Sequence, residues 1–344
     1  MSPAGGTGMT GPGIVPVTTP LLEVRGLSMD FASGSGLGRL VGRPPRVLHA
    51  LQDVSLAVGA GEMLGVVGES GCGKSTLGRC IAGLYQPTRG EIFWQGAPLA
   101  ALGGYRERSR QIQMIFQDPY SSLNPRMSIR QMLEEVLTVH APAHGNGEAR
   151  DRLDELLLTV GLSPALKERL PHALSGGQRQ RVSIARALAP KPRLIVADEP
   201  VSALDASVQA QIINLFDELR ERLGIAFVFV AHDLDVVRHI SQRIAVMYLG
   251  EVVETAPAET LFAHPVHPYS RGLIAAIPSL DPERRTPDAG IDGELPDPMK
   301  PPTGCAFSGR CSHVLPECRQ RHPNLEPVTV GHLSRCLRNE AFAA

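Results

Sequence analysis

One run of the sequence restricts the fold of this chain more than any other feature. Residues 63–67 read MLGVV, residues 68–75 read GESGCGKS, and residues 76–84 read TLGRCIAGL. An apolar run, a glycine-rich run that ends in Lys-Ser and a run with helical spacing predict a strand, a loop and a helix. The backbone N–H groups of such a loop surround a phosphate, and the helix N-terminus favours the same anion. The sequence therefore predicts an α/β core that binds a nucleotide.

Lys74, Ser75 and Thr76 supply polar side chains to this P-loop. We expect Lys74 to contact the β- and γ-phosphates, Ser75 to bind Mg²⁺ through its hydroxyl, and Thr76 to contact phosphate. We interpret Cys72 as a small filler of the loop and not as a catalytic thiol. The alternative is a glycine-rich turn with an accidental lysine. The candidate nucleotide contacts are Gly68, Ser70, Gly71, Cys72, Gly73, Lys74, Ser75 and Thr76.

Two later runs carry further polar residues. LSGGQRQR places Ser175 at a capping position before two glycines, which predicts a second helix start able to bind an anion. RLIVADEP places Asp198 and Glu199 at the end of an apolar strand, where one carboxylate can hold Mg²⁺ and the next can activate water. Further along, the chain reads SALD and then VAHDL, which contains His232. Each polar residue alone could be an ordinary strand-end residue, but their joint spacing favours ATP hydrolysis.

The order and spacing of these runs resemble the ABC-type (ATP-binding cassette) nucleotide-binding domains, with a Walker A loop, an LSGGQ signature, a Walker B strand, a D-loop and an H-loop. The resemblance covers residues 21–258 and implies an α/β P-loop NTPase (RecA-like) core with a helical subdomain. It implies ATP and Mg²⁺ as cofactors, with Asp198 at the cation. It also implies that Glu199 is the general base, that His232 contacts the γ-phosphate, and that Gln117 in MIFQDP is the Q-loop residue that senses Mg²⁺ and a membrane partner.

The resemblance also assigns residues to base stacking and to the pairing of two cassettes. Phe31 ends the first strand-like run and is the candidate for stacking on adenine; an ordinary core phenylalanine is the alternative. In this family two cassettes pair head to tail, so that the signature of one closes the ATP bound by the other. The signature residues are therefore expected to contact the nucleotide of a partner: Ser175, Gly176, Gly177 and Gln178.

Composition and hydrophobic periodicity divide the chain into segments. Residues 1–20 are rich in Gly, Pro and Thr and are predicted to form a disordered leader, not a signal peptide. Residues 33–45 are predicted to be an exposed hairpin loop, and residues 119–174 a helical subdomain. Strands are predicted at 62–68, 111–117, 193–198 and 226–231. Helices are predicted at 74–84, 128–137, 151–160, 178–188 and 206–223.

Charge and hydropathy limit the partners of the chain. The 34 Lys and Arg residues nearly balance the 35 Asp and Glu residues, so the net charge of −1 gives no electrostatic case for nucleic acid, and we expect none as a partner. No run approaches the ~20 apolar residues that a membrane-spanning helix needs. We therefore expect that the chain does not cross a bilayer itself.

Three segments narrow the resemblance to the ATP-binding subunits of dipeptide, oligopeptide and nickel importers: QDPYSSLNPRM, the Arg-containing loop before Leu48, and HPVHPYSRGLIAAIPSL. They imply a peripheral subunit that powers di- or oligopeptide import from the cytoplasmic face of the inner membrane. The implied partners are two transmembrane permease subunits, an extracytoplasmic substrate-binding protein and a second ABC ATPase, expected to be a different, related chain. An importer of nickel or another small solute is one alternative. A soluble ABC ATPase that serves no transporter is another, although the chain lacks the long heptads typical of such proteins.

Residues 259–344 form a Pro-rich extension that contains four of the six cysteines. Clustered cysteines in a cytosolic chain favour a metal over disulfides, and the lack of a Cys-x-x-Cys pair argues against a zinc ribbon. Some members of the family hold an iron–sulphur cluster at the corresponding cysteines, and four thiolates suit a [4Fe-4S] centre. Zinc and no metal are the alternatives at the four candidates Cys305, Cys311, Cys318 and Cys336. Nearby histidines are interpreted as packing or loop residues: His264, His267 and His313.

Overall fold

A computed structural model describes the chain over residues 19–33, 46–140, 146–277 and 291–342. The predicted leader lies outside these residues except for its last two, and the predicted hairpin loop lies outside them except for Ser33. Within the described ranges, no helix combines the length and the apolarity that a bilayer-spanning helix needs.

An antiparallel sheet begins the described part of the chain. β1 (Leu22–Ser33) and β2 (Arg46–Val58) flank the predicted hairpin loop and pair antiparallel, with Ser33 opposite Arg46. β1 also pairs with a later strand, β4 (Arg89–Trp94), which in turn pairs with β5 (Ala97–Pro98). Among the described residues the strand order of this sheet is β2-β1-β4-β5.

The second sheet has a parallel centre that carries the P-loop. Its strands are β3 (Met63–Val67), β6 (Ile112–Ile115), β7 (Leu194–Asp198), β8 (Ala226–Val230), β9 (Arg243–Tyr248), β10 (Glu251–Pro257), β11 (Glu326–Thr329) and β12 (His332–Ser334). Parallel strands lie in the order β9-β3-β8-β7-β6, and antiparallel strands continue the β9 edge in the order β10-β12-β11. Every residue of β3, β7 and β8 is buried, as expected for parallel strands covered on both faces.

Helices connect the strands and fill the segment between β6 and β7. The α-helices are α1 (Lys74–Ile81), α2 (Gly104–Gln111), α3 (Pro119–Ser122), α4 (Ile129–His140), α5 (Asn146–Thr159), α6 (Gly176–Leu188), α7 (Ala206–Leu223), α8 (Leu234–Ile240), α9 (Ala258–Ala263), α10 (Pro268–Ala275) and α11 (Asn339–Phe342). Short 3₁₀ turns lie at Leu99–Ala101, Pro164–Glu168, Pro171–Ala173 and Pro316–Arg319.

Side chains of the parallel strands alternate between two buried clusters, one on each face of the sheet. Val66 and Val228 belong to the cluster shared with α1 and the β1–β2 pair. Val67 and Phe229 belong to the cluster shared with α4 to α8 and with Phe307 of the C-terminal extension. This alternation has the two-residue period of a strand. The carboxyl ends of the parallel strands therefore lie at one edge of the sheet between two packed layers, the usual position of a ligand site in such folds.

The predicted strands and helices agree with the structure to within a few residues, and the helix over 206–223 has the predicted ends. The P-loop helix ends at Ile81, earlier than the predicted residue 84. Gly83 there adopts a φ of 72° and Leu84 N donates to Arg79 O, which is a left-handed helix cap. Over residues 119–174, the described part consists of α3, α4, α5 and two 3₁₀ turns, without a strand.

The C-terminal extension packs directly on the core. β12 pairs with β10, with Ser334 opposite Glu254. The fully buried carboxylate of Glu254 accepts hydrogen bonds from the backbone N–H groups of Val266 and His267 and lies 2.7 Å from Nε2 of His332. A buried carboxylate must be paired with donors in this way to be tolerated in a core. Glu254 therefore joins the HPVHPY segment, the last strands and the core sheet.

Candidate active site

The P-loop connects the carboxyl end of β3 with α1. Gly68 adopts a φ of 151°, and a Cβ at this position would lie 2.2 Å from Met247 O, so the loop cannot turn here with any other residue. Lys74 is buried, and its Nζ donates to the backbone oxygens of Gly68 at 2.7 Å and Glu69 at 2.9 Å. The ammonium group thus lies inside the loop, where it can reach phosphates that the loop binds.

The candidate Mg²⁺ ligands meet between α1 and β7. Ser75 Oγ donates to Asp198 Oδ1 over 2.8 Å. Asp198 is buried, and this burial raises the pKa of its carboxyl group, while the hydrogen bond from Ser75 lowers it. A carboxylate oxygen and a hydroxyl oxygen at this distance form the hard donor set that Mg²⁺ prefers. The two residues therefore fit the cation that the sequence predicts.

Three polar side chains converge just beyond the ends of neighbouring strands β6, β7 and β8. Gln117 Nε2 donates to Glu199 Oε2 over 2.8 Å, and His232 Nδ1 lies 3.3 Å from the same oxygen. Glu199 has a φ of 46°, which is rare for a residue with a side chain. Its backbone N–H donates to Val230 O at 2.9 Å and so holds the strained residue in place. A carboxylate carried on a strained backbone and held by two polar partners is the arrangement expected of a functional group.

An open cavity of about 490 Å³ joins these groups to the P-loop. Gly68 and Cys72 do not line it. Cys72 is buried, and that burial raises the pKa of its thiol. Phe31 also lines it, edge-on to Tyr85 with ring centres 5.5 Å apart. The predicted site residues that line the cavity are Phe31, Ser70, Gly71, Gly73, Lys74, Ser75, Thr76, Gln117, Glu199 and His232.

His49 and Pro298 also line the cavity, and neither is predicted from the sequence. His49 Nδ1 lies 2.7 Å from Asp30 Oδ1, and its backbone N–H donates to Pro298 O at 3.3 Å. Pro298 belongs to the C-terminal extension, and no motif or periodicity in a single sequence links it to the P-loop. The extension therefore forms part of the wall of the nucleotide cavity.

The signature residues start α6 and lie away from this cavity. Ser175 Oγ accepts a hydrogen bond from Gln178 N, and Gln178 Oε1 accepts one from Ser175 N, which together form a capping box. Of the described residues that line the cavity, none belongs to the signature. Arg179 lies 3.9 Å above the ring of Tyr120 and links α6 to the segment that follows Gln117. That the signature serves a second nucleotide stays a prediction.

Comparison with known proteins decides the family. Residues 51–202 match the family model described as ABC transporter, and residues 253–318 match the one described as oligopeptide/dipeptide transporter, C-terminal region. The putative oligopeptide transport ATP-binding protein YkfD of Bacillus subtilis (strain 168) is 46% identical over 321 residues, which cover 92% of this chain and 95% of the relative. The chain belongs to the ATP-binding subunits of the oligopeptide/dipeptide ABC transporter family. The oligopeptide transport ATP-binding protein OppF of Salmonella typhimurium (strain LT2) is also similar to this ABC ATPase, with 46% identity over 92% of the chain and 96% of the relative.

Solved structures agree with this assignment and with the predicted fold. The dimeric post-hydrolysis state of the ATP-binding cassette MJ0796 bound to ADP and Pi superposes with a TM-score of 0.60 at 31% identity, covering 69% of this chain and 98% of the other. CbiO1 from Clostridium perfringens, part of the ABC transporter complex cbiONQ, gives a TM-score of 0.61 at 28% identity, covering 72% and 92%. The chain is therefore an ABC-type ATPase with a P-loop NTPase core and an oligopeptide-type C-terminal region.

The predicted iron–sulphur site is not supported by the arrangement of the cysteines. Cys305, Cys311, Cys318 and Cys336 border one small cavity of about 20 Å³. Across the part of the chain that the structure describes, no three His, Cys, Asp or Glu side chains are arranged to hold a metal ion. Burial raises the pKa of the Cys305 thiol to about 12 and also raises the pKa values of Cys311 and Cys336. Among the described residues the structure therefore gives no support for a [4Fe-4S] cluster or zinc at these cysteines.

Proposed function

We propose that this ABC ATPase powers the import of di- or oligopeptides through a membrane transporter. The observation that carries the proposal is a P-loop cavity bordered by Lys74, Glu199 and His232 in a chain whose C-terminal region is of the oligopeptide/dipeptide transporter type. Relatives with 46% identity are named oligopeptide transport ATP-binding proteins, which supports peptides as the substrate. Import of nickel or another small solute is the alternative.

In the proposed reaction the P-loop binds ATP with Mg²⁺. Lys74 gives up its bonds to the backbone oxygens of Gly68 and Glu69 and donates to phosphate oxygens instead. Ser75 and Asp198 would hold Mg²⁺, which would neutralise charge on the phosphates. Phe31, which also lines the cavity, is proposed to stack on the adenine ring.

Glu199 is proposed to act as the general base. Its carboxylate accepts a proton from the water whose oxygen forms a bond to the γ-phosphorus, while the bond from that phosphorus to the β–γ bridging oxygen breaks. Gln117 and His232 both contact Oε2 of Glu199, so they orient the carboxylate towards the cavity. ADP and phosphate are the products, and their release is expected to allow the transporter to reset.

A second ABC ATPase, of a different and related chain, is proposed to complete the site with its own signature. The signature of this chain, Ser175 to Gln178, lies outside its own cavity and offers a capped helix N-terminus of positive potential. The MJ0796 cassette, which is similar in structure, is described as dimeric. Each ATP would then lie between the P-loop of one subunit and the signature of the other.

A groove beside Gln117 is proposed as the contact with one of two permease subunits. It has a volume of about 500 Å³ and apolar lining residues that include Leu123, Met127 and Met132. Because this groove follows Gln117 in the chain and Gln117 contacts Glu199, a permease bound there can influence the catalytic carboxylate. We propose that the subunit lies at the cytoplasmic face of the inner membrane as a peripheral protein, and that an extracytoplasmic substrate-binding protein delivers the peptide.

Reconstitution tests the proposed transport. The affinity-tagged chain is purified from detergent-solubilised membranes, and the recovered assembly is placed in liposomes with ATP and labelled tripeptide or nickel ions. We expect two polytopic membrane proteins and a second ATPase in the assembly, and ATP-dependent uptake of the peptide. Recovery with ribosomes or DNA, or ATP-dependent uptake of nickel without peptide, contradicts peptide import.

The C-terminal cysteines carry a separate proposal, that they assemble a [4Fe-4S] cluster. Their meeting at one cavity supports it, whereas their present arrangement opposes it, since ligation needs thiolates directed at a common centre. The test is anaerobic purification followed by iron and sulphide analysis and visible absorbance. Brown protein with four iron atoms per chain supports the cluster. Colourless, iron-free protein contradicts it.

A further inference from the structure

The C-terminal extension reaches the P-loop through a single arginine. Arg310 Nη1 donates to Glu69 Oε2 at 2.6 Å, and Nη2 donates to Glu69 Oε1 at 3.0 Å. Glu69 is the second residue of GESGCGKS and lies 241 positions earlier in the chain. The side chain of Arg310 is only 7% exposed and that of Glu69 is 28% exposed, so this two-bond ion pair is partly buried, with the arginine shielded from water. It is a fixed link between the extension and the phosphate-binding loop.

Further contacts hold the guanidinium of Arg310 in one orientation. Its Nε donates to Asp292 O at 3.0 Å, and Nη2 also donates to Ile291 O at 3.3 Å. The group lies 5.9 Å from the ring centre of Tyr248. These bonds on several sides of the planar guanidinium hold it in place. A lysine has a single ammonium group and could not make all of these contacts together. Arg310 is thus placed by its own segment to meet Glu69.

The backbone of Glu69 is hydrogen-bonded to Tyr269, which packs near Arg310, and to Lys74 of the P-loop. Its N–H donates to Tyr269 Oη at 2.9 Å, and its carbonyl oxygen accepts from Lys74 Nζ at 2.9 Å. Tyr269 packs with Tyr248 and Phe307 in an aromatic group with ring centres 4.7 to 5.5 Å apart. Phe307 lies three residues before Arg310 and accepts its backbone N–H bond at 3.0 Å. One packed unit therefore holds both the side chain and the backbone of Glu69.

The charge of Glu69 explains why such a link is needed. A carboxylate in a loop that binds phosphates repels the bound anion unless a cation neutralises it. Lys74 donates to backbone oxygens inside the loop, whereas Arg310 donates to the carboxylate of Glu69 itself. We propose that Arg310 is a positioning residue of the ATP site, which neutralises Glu69 and holds it so that the P-loop can accept the nucleotide phosphates. The proposal concerns nucleotide binding and does not depend on what the transporter imports.

Titration calorimetry with ADP and Mg²⁺ on the full chain tests this role without interference from hydrolysis. Arg310→Met removes the charge and keeps much of the buried volume, and it is expected to weaken ADP binding by about tenfold. Glu69→Gln removes the carboxylate instead of its partner, so that no negative charge in the loop repels the phosphates. This variant should bind ADP within about threefold of the wild type. The double variant Glu69→Gln with Arg310→Met should regain most of the affinity that Arg310→Met loses, because no carboxylate is left unpaired.

Arg321 provides the control, since it pairs with Glu317 on the exposed surface of the same extension and Arg321→Met should bind ADP as the wild type does. Folded Arg310→Met protein with wild-type affinity overturns the proposal. So does a double variant that binds as weakly as Arg310→Met, because that result indicates a tether without a charge effect. If Arg310→Met does not fold, Arg310→Gln, which also removes the charge, is compared with and without Glu69→Gln, and an unchanged affinity between those two variants overturns the neutralising role.

Discussion

At the scale of single residues, the site depends on polar groups held in environments that a sequence does not reveal. The motifs identify Glu199 and Asp198, but only the structure shows that Glu199 has a φ of 46° and that Asp198 is buried against Ser75. A strained backbone of this kind costs about 1–3 kcal/mol and persists only where surrounding bonds enforce it. His267 is a further example, because its position in HPVHPYSRGL does not indicate that its ring is buried.

His267 gives a prediction for pH. Its ring is 1% exposed, Nδ1 accepts the backbone N–H of Tyr269, and burial lowers its pKa to about 4 despite the nearby carboxylate of Glu254. The unfolded chain, with a histidine pKa of ~6.5, therefore binds more protons between pH 6.5 and about 4, so this group lowers the stability as the pH falls through that range. The loss attributable to His267 is about 3 kcal/mol when the fall is complete.

Chemical denaturation at pH 7.5, 6, 5 and 4.5 checks this effect of His267. His267→Asn keeps a side chain that can cap α10, and its free energy of unfolding should fall less steeply with decreasing pH than that of the wild type. His172→Asn, at an exposed histidine, should follow the wild-type slope. Equal slopes for His267→Asn and the wild type contradict a buried neutral ring.

At the scale of elements, the strands and helices around the P-loop are predicted well because their signals are local. MLGVV, the glycine-rich loop and the helix after it each have their own pattern, and all three occur where predicted. Helix α6 starts at Gly176, before the predicted residue 178, because the capping box of Ser175 and Gln178 extends the helix through both glycines. The pairing of β12 with β10 cannot be predicted from the sequence, since such short strands carry little periodicity.

Ser175→Ala tests the cap of α6. Loss of the hydroxyl leaves the backbone N–H of Gln178 without its acceptor and should lower the free energy of unfolding by about 1 kcal/mol. Urea denaturation of the full chain measures the change. Ser207→Ala, at a serine in the first turn of α7 whose hydroxyl bonds the capping Asp205, is the matched comparison and should cost less. A Ser175→Ala protein as stable as the wild type contradicts the capping role.

At the scale of the whole molecule, the site combines segments that lie far apart in the chain. The family resemblance brings Gln117, Glu199 and His232 together, and their observed contacts agree with that expectation. Arg310 and Pro298 could not be predicted, because contacts across more than 200 residues leave no pattern in one sequence. The extension therefore contributes to the nucleotide site as well as carrying the family's C-terminal pattern.

Gly176→Asp tests whether the signature serves another subunit. A Cβ at Gly176 would lie 3.5 Å from Leu204 Cδ2, an ordinary contact, and a negative charge at a helix N-terminus favours the helix, so the fold should be retained. The isolated chain should then bind ADP and Mg²⁺ with wild-type affinity, because its own cavity lacks the signature. In the assembled transporter the new charge should repel the partner's ATP and lower ATP hydrolysis at least tenfold. Weakened ADP binding by the isolated chain contradicts head-to-tail pairing.

Glu199→Gln in the reconstituted transporter tests the central claim, that hydrolysis at this site drives transport. Glutamine fills the same space but cannot accept the proton of the attacking water, so ATP should remain bound while its hydrolysis falls by about 10²-fold or more. Glu155→Gln, at an exposed carboxylate outside the cavity, is the control. ATP-dependent peptide uptake into liposomes should fall together with hydrolysis in Glu199→Gln. Wild-type hydrolysis and uptake in this variant would contradict the central claim.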